Sequence, residues 1–176
     1  AVGQVLIGLG MLFMGLEHMS QSMEPLRYMP EFTGLLAKFE NPLLGIAVGA
    51  IFTAVIQSSS ASVGILQTLA LSGVITLPSA IYVLFGQNIG TCITAILASI
   101  GSERNAKRAT LIHLLFNVIG TVIFVAISMT TPFVHWMEGL TPGNVPVQIA
   151  NVHTIFNIVT TFLLLPFGAQ LVRLTY

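Results

Sequence analysis

A polar run, Gln57-Ser58-Ser59-Ser60, stands inside about thirty residues that otherwise read as membrane-buried. Hydrocarbon penalises each unpaired polar group by several kcal/mol, so four in a row at membrane depth point to a break in the helix that lines protein or water. The flanks set its shape. Pro42 opens an apolar limb to Ile56, and a second limb runs from Ala61 to Ile75. Each limb is about 14 residues, roughly 21 Å at ~1.5 Å per residue, which falls short of a ~30 Å hydrocarbon core. A re-entrant hairpin over 42–76, with its tip at Gln57 to Ser60, fits this length better than two crossings. The alternative, serines bonded to carbonyls one turn earlier in an ordinary membrane helix, is weakened by three consecutive serines behind a glutamine.

Composition agrees with a membrane setting. The chain is 55% hydrophobic and 7% charged and contains no Asp, so the expected class is an all-α membrane protein. Its zero net charge leaves no basic stripe for nucleic acid. Spans are expected at 1–23, 78–100, 109–129 and 149–172. Between the first span and the hairpin, Glu24, Arg27, Glu31, Lys38 and Glu40 alternate with Leu26, Met29, Phe32, Leu35, Leu36 and Phe39, the pattern of an interfacial helix over 24–41. Glu17 and His18 read as an interfacial pair near the end of the first span. A polar, proline-bearing loop with Trp136 at its start joins the last two spans, and Trp suits the headgroup belt. The opening Ala1-Val2-Gly3, without Met or a basic leader, reads as a piece of a longer chain.

Four crossings place both chain ends and the 101–108 loop on one face. That face carries Arg104, Lys107, Arg108 and Arg173, against Arg27 and Lys38 on the other. By the positive-inside rule the first face is cytoplasmic, and the hairpin enters from outside.

A second polar feature, Gly86-Gln87-Asn88-Ile89-Gly90-Thr91, lies inside a span. It predicts a discontinuous helix, with carbonyls near Phe85 and Gly86 and free N–H groups after Asn88. A continuous helix using its glycines for packing is the alternative. At the hairpin tip, Ser58, Ser59 and Ser60 stand where a helix N-terminus exposes N–H groups, an anion pocket without Lys or Arg. Carbonyls with the oxygens of Asn88 and Thr91 suit a hard, weakly held cation such as sodium. The two charges cancel, which makes coupled binding favourable in a low dielectric. The last two spans share H-x-x-F-N, His113 to Asn117 and His153 to Asn157, with Thr121 and Thr161 four residues on. Helical spacing predicts an inward His, Asn and Thr stripe on each, which serves substrate contact or interhelical hydrogen bonding.

Enzymatic readings fare worse. No spacing shows His113 or His153 reaching the serines, as an intramembrane serine protease would need. Four His and one Cys lack metal-ligand spacing, and no P-loop is present.

Three stretches together resemble the type II sodium/phosphate cotransporters in their bacterial form: Thr53 to Ala61, Gly86 to Thr91, and Ala150 to Asn157 running on to Leu165-Pro166. The resemblance covers nearly the whole chain. It implies two inverted repeats per protein, of which this is the second, with two hairpin tips meeting near the membrane centre. It implies that Gln57, Ser58, Ser59 and Ser60 form half of a phosphate site, and that Gln87 and Thr91, beside Asn88, help form a sodium site. Thr53, Asn117, His153 and Asn157 are the supporting polar candidates. Gln87 departs from the family, where a small residue usually follows Gly86, so its amide must fold away or itself supply an oxygen. Cys92 stands where threonine is common. The implied function is sodium-coupled phosphate symport by alternating access in a prokaryotic inner membrane. Sodium would be the coupling ion with no further cofactor; the partners would be the bilayer, the other repeat and a cytosolic helical domain. A phosphate sensor without translocation, or a symporter of a related oxyanion, are the alternatives.

Overall fold

The computed structural model describes residues 2–175, without the side-chain surroundings of residues 23, 26, 27, 32 and 33. Ten α-helices and no strand occur among the described residues, so the chain is an all-α membrane protein. Four stretches are long and apolar enough to cross a membrane: Val2–Ser22, Leu77–Ser99, Arg104–Thr130 and Val145–Leu174.

The first helix, α1 (Val2–Met23), buries none of its spanning window against the rest of the chain. The single interfacial helix expected over 24–41 is replaced by a 3-10 turn (Glu24–Tyr28), α2 (Pro30–Ala37) and a second 3-10 turn (Lys38–Glu40). Pro25 and Pro30 lack the N–H that a continuous ladder needs. Leu36 and Phe39 turn into the core while Met29 and Leu35 stay exposed, and the interfacial roles expected of Leu26, Arg27 and Phe32 lie outside the described residues.

The chain then bends by 109° into α3 (Pro42–Ile56). Asn41 caps this helix, its Oδ1 accepting from the N–H groups of Leu43 at 3.1 Å and Leu44 at 3.2 Å, with Pro42 in the first turn where its missing N–H costs nothing. After a tight turn, α4 (Ser59–Leu71) runs back, followed by α5 (Leu77–Gly90) and α6 (Cys92–Ser99). The long α7 (Arg104–Thr130) takes in Arg104, Lys107 and Arg108, which the expected loop over 101–108 contained. The following proline-bearing loop contains a helix of its own, α8 (Phe133–Leu140), which buries Phe133 and Met137 and exposes Trp136. Next, α9 starts earlier than expected (Val145–Leu164), then tightens into a 3-10 turn at Leu165–Phe167, where Pro166 withholds an N–H, before α10 (Gly168–Leu174).

The central post is α5. Leu77, Ala80, Ile81, Leu84 and Phe85 are buried on it, against Ile149, Val152 and Phe156 of α9 and Phe124 of α7. Phe124 stacks at 5.0 Å from Phe156 and 5.8 Å from Phe85, closing an aromatic knot that orients three spans.

Parallel to α5, and closer than any side chain would allow, lies α3. A Cβ on Gly49 would overlap the Val83 carbonyl, and one on Gly86 would overlap the Ile46 backbone. With Gly45 and Gly90 these form two G-x-x-x-G faces pressed together, backbone on backbone. This contact corrects the expected position of the helix break. Between Gly86 and Asn88 the α-helix is continuous, and the interruption falls at Thr91, which keeps right-handed helical angles (φ −57°, ψ −27°). The glycines serve packing instead of unwinding.

Candidate functional site

At the turn between α3 and α4, the polar run of the sequence becomes two caps. Gln57 ends α3 in the left-handed region (φ 59°, ψ 20°), its N–H donating to the Thr53 carbonyl at 2.7 Å. It is the only non-glycine residue with positive φ among the described residues. Left-handed backbone costs an L-residue about 1–2 kcal/mol, so a glutamine kept there invites a functional reading. Ser58 is extended and caps α4, its Oγ accepting from the Ala61 N–H at 3.3 Å. Ser59 and Ser60 fill the first turn. Gln57, Ser58 and Ser60 are exposed and Ser59 is half-buried. The tip therefore presents a helix N-terminus with its free N–H groups and two further hydroxyls, and no Asp, Glu, Lys or Arg occurs between Glu40 and Glu103.

Behind the tip, α3, α4 and α5 meet in a buried polar junction. Thr53 and Ser62 are fully buried, and neither hydroxyl oxygen has a hydrogen-bond partner. Thr53 sits against Gly90 of α5. The Gln87 side chain reaches α4, its Nε2 donating to the Ser62 carbonyl at 3.0 Å, while its Oε1 is buried without a partner. The amide thus both folds away and leaves an oxygen to give. Unpaired polar atoms in a protein interior are costly, and these three oxygens, one on each of α3, α4 and α5, are left without a partner.

The other candidates divide. Asn88 is buried, its Oδ1 lying 3.2 Å from His153 Nε2, a contact that the Nε2–H tautomer makes a hydrogen bond. Its Nδ2 has no partner. One lone pair of the Asn88 oxygen is engaged by His153, and the side chain also brings an unpaired N–H to the interior. The Thr91 hydroxyl donates back to the Gln87 carbonyl at 2.9 Å, and the Phe85 carbonyl accepts from Thr121 Oγ1 at 3.3 Å. Backbone carbonyls near Phe85 and Gly86 are thus held inside the helix, and the junction's available oxygens belong to side chains.

The two H-x-x-F-N stripes also part company. On α7, Asn117 and Thr121 are buried, and Asn117 Nδ2 bridges the His113 carbonyl at 3.0 Å and Cys92 Sγ at 3.4 Å. On α9, Asn157 folds back onto the His153 carbonyl at 2.8 Å, and Thr161 is exposed. The buried face of α9 runs through Gln148, Val152, Phe156 and Thr160, so its register places Thr160 inward, not Thr161. Of the second stripe only His153 reaches another helix.

Sequence reasoning missed Ser62 and Gln67. Ser62 lies four residues after Ser58 on the same helix, a spacing that could have joined it to the run. Gln67 carries no local signature; its partner, the Pro146 carbonyl at 3.0 Å, is 79 residues away.

Apolar helices of spanning length, with a charge-free polar tip and buried polar atoms behind it, define a helical membrane protein. The chain belongs to a known group of these: the Na+/Pi-cotransporter family, whose model matches residues 25–141. It is 33% identical over 99% of its length to "Uncharacterized protein YqeW" of Bacillus subtilis, covering 56% of that protein. It is 30% identical over 98% of its length to "Putative inorganic phosphate export protein YjbB" of Escherichia coli (strain K12), covering 31% of it. Against "Sodium-dependent phosphate transport protein 2A" of Rattus norvegicus, identity is 31% over 59% of the chain and 17% of that protein. The chain thus spans about half or less of these relatives. No solved structure matches it.

Proposed function

We propose that the protein containing this chain carries inorganic phosphate across the plasma membrane in symport with sodium, by alternating access, as a secondary active transporter and not an enzyme. The carrying observation is the charge-free tip: a helix N-terminus with Ser58, Ser59 and Ser60, backed by buried oxygens that nothing in the chain satisfies. Phosphate takes N–H and hydroxyl donors at the tip. Gln57, held in its left-handed cap, adds an amide there. Sodium takes side-chain oxygens, Thr53 Oγ1, Ser62 Oγ and Gln87 Oε1, with Thr91 Oγ1 beside them. The cation offsets the anion's charge in a medium where either alone is costly, and this couples the two.

On this reading the chain is one of two inverted repeats, and the exposed tip meets its counterpart from the other. The chain ends and the Arg104 to Arg108 segment face the cytoplasm, and the hairpin enters from outside. The YjbB name favours a second reading of direction, in which the same site serves export.

The test is labelled phosphate flux in proteoliposomes holding the full-length protein, beside a Gln57→Ala/Ser58→Ala double variant. Sodium-dependent uptake that disappears in the variant is the expected result. Equal uptake with choline replacing sodium, at clamped proton gradient, would end the coupling reading. Net efflux from loaded vesicles against the uptake direction would install export in its place.

A further inference from the structure

The two limbs of the hairpin are attached to the rest of the chain by different kinds of contact. Backbone holds α3 to α5: Gly45 and Gly49 lie on Tyr82 and Val83, Gly86 and Gly90 on Ile46 and Ala50. No side-chain rotation releases such a contact. In contrast, α4 is held by side chains: Leu66 and Ala70 are buried in the core, and two amides tie it to its neighbours. Gln87 Nε2 of α5 donates to the Ser62 carbonyl at 3.0 Å, and Gln67 Nε2 of α4 donates to the Pro146 carbonyl of α9 at 3.0 Å. The triangle is closed by His153 of α9 with Asn88 of α5, at 3.2 Å. Each of these helix pairs thus shares one polar tie, and a tie of this kind can be broken and remade on a carbonyl one turn along.

There is also room to move. A half-open, largely apolar pocket of about 130 Å³ is lined by Ile65, Leu66 and Leu69 of α4, Val48 and Phe52 of α3, Val83 of α5 and Leu36 and Phe39. Atoms lining a void forgo dispersion contacts on one side, so a helix beside it has less to lose by shifting. Both ends of α4 lead into left-handed backbone, Gln57 at φ 59° and Gly73 at φ 69°, which suits hinges.

We infer that α4 is the limb that moves, that α3 stays with α5, and that Gln67 is a positioning residue holding Ser58 to Ser60 over the junction in the conformation described here. Its purpose rests on the proposed transport function, whereas its geometry does not.

Amide hydrogen exchange on the full-length protein in lipid nanodiscs tests it, because both limbs span the same depth. Residues 59–71 should exchange about tenfold faster than 42–56. Gln67→Leu keeps the bulk and removes the donor; it should speed exchange of 59–71 a further five- to tenfold, the factor one net hydrogen bond gives, and leave 42–56 unchanged. Val48→Phe fills the cavity from the static limb. It should slow exchange of 59–71 and lower maximal phosphate flux several-fold while leaving KM within about twofold. Equal exchange in both limbs, or equal acceleration of both by Gln67→Leu, would overturn the assignment. Absence of phosphate flux in the unaltered protein would sink the transport reading alone, since the exchange comparison needs no substrate.

Discussion

Gln57 and Ser58 are neighbours with separable jobs. Gln57 sits where glycine is the natural occupant. Gln57→Gly is therefore expected to raise stability by about 0.5–1 kcal/mol, less than the full left-handed cost because glycine gives up more chain entropy. If the glutamine is kept for binding, phosphate affinity falls in the same variant, and thermal unfolding beside phosphate titration reads both. Ser58 caps α4 through its Oγ, so Ser58→Ala should cost about 1 kcal/mol of stability in addition to any binding loss. The Ser60 side chain is exposed and caps nothing, and Ser60→Ala should leave stability within about 0.5 kcal/mol. Its phosphate affinity should drop ten- to a hundredfold, the worth of a hydrogen bond to a charged group. Unchanged affinity in Ser60→Ala would remove it from the site. The caps were legible because Gln-Ser-Ser-Ser between apolar limbs admits few backbones. The orphaned Ser62 and the far-reaching Gln67 were not, since burial and a partner 79 residues away are set by other helices.

Among the elements, the α3–α5 pair decides most. Its glycines were visible as spacing in the sequence, yet G-x-x-x-G inside a span serves equally to unwind a helix or to admit another backbone, and only the partner's position distinguishes the two. Here Ile46 and Ala50 occupy the space a Cβ would need. Gly86→Ala should accordingly cost about 1–3 kcal/mol through overpacking, readable as a lowered thermal midpoint, whereas Gly139→Ala, where nothing lies within 4 Å, should cost nothing measurable. The same uncertainty of partner explains Thr160 and Thr161: one residue of helical register, about 100°, turns a hydroxyl from core to lipid.

At the scale of the whole molecule, many large apolar side chains stay exposed. The spanning window of α1 is unburied, and Phe162, Leu163 and Leu165 near the end of α9 are exposed. Lipid, or the other proposed repeat, covers such surface at no hydrophobic cost. The proposed orientation gives a direct prediction in cells expressing the full-length protein with Cys92→Ser. A membrane-impermeant maleimide added outside should label a Pro142→Cys reporter in the α8–α9 loop and spare Asn105→Cys at the start of α7. The reverse pattern would invert the orientation, and labelling of both would mean the spans do not cross as read.

The sequence by itself determined that the chain is helical and lives in a membrane, where the polar tip lies and which family it joins, because these follow from composition, run length and local motifs. Tertiary structure decided that α5 stays helical through Gly86, that Thr53, Ser62 and Gln87 keep buried oxygens without a partner, and that two amides tie α4 beside its apolar packing. Those are facts about which helix lies against which, and one chain's spacing is compatible with several such arrangements until backbone contact selects one.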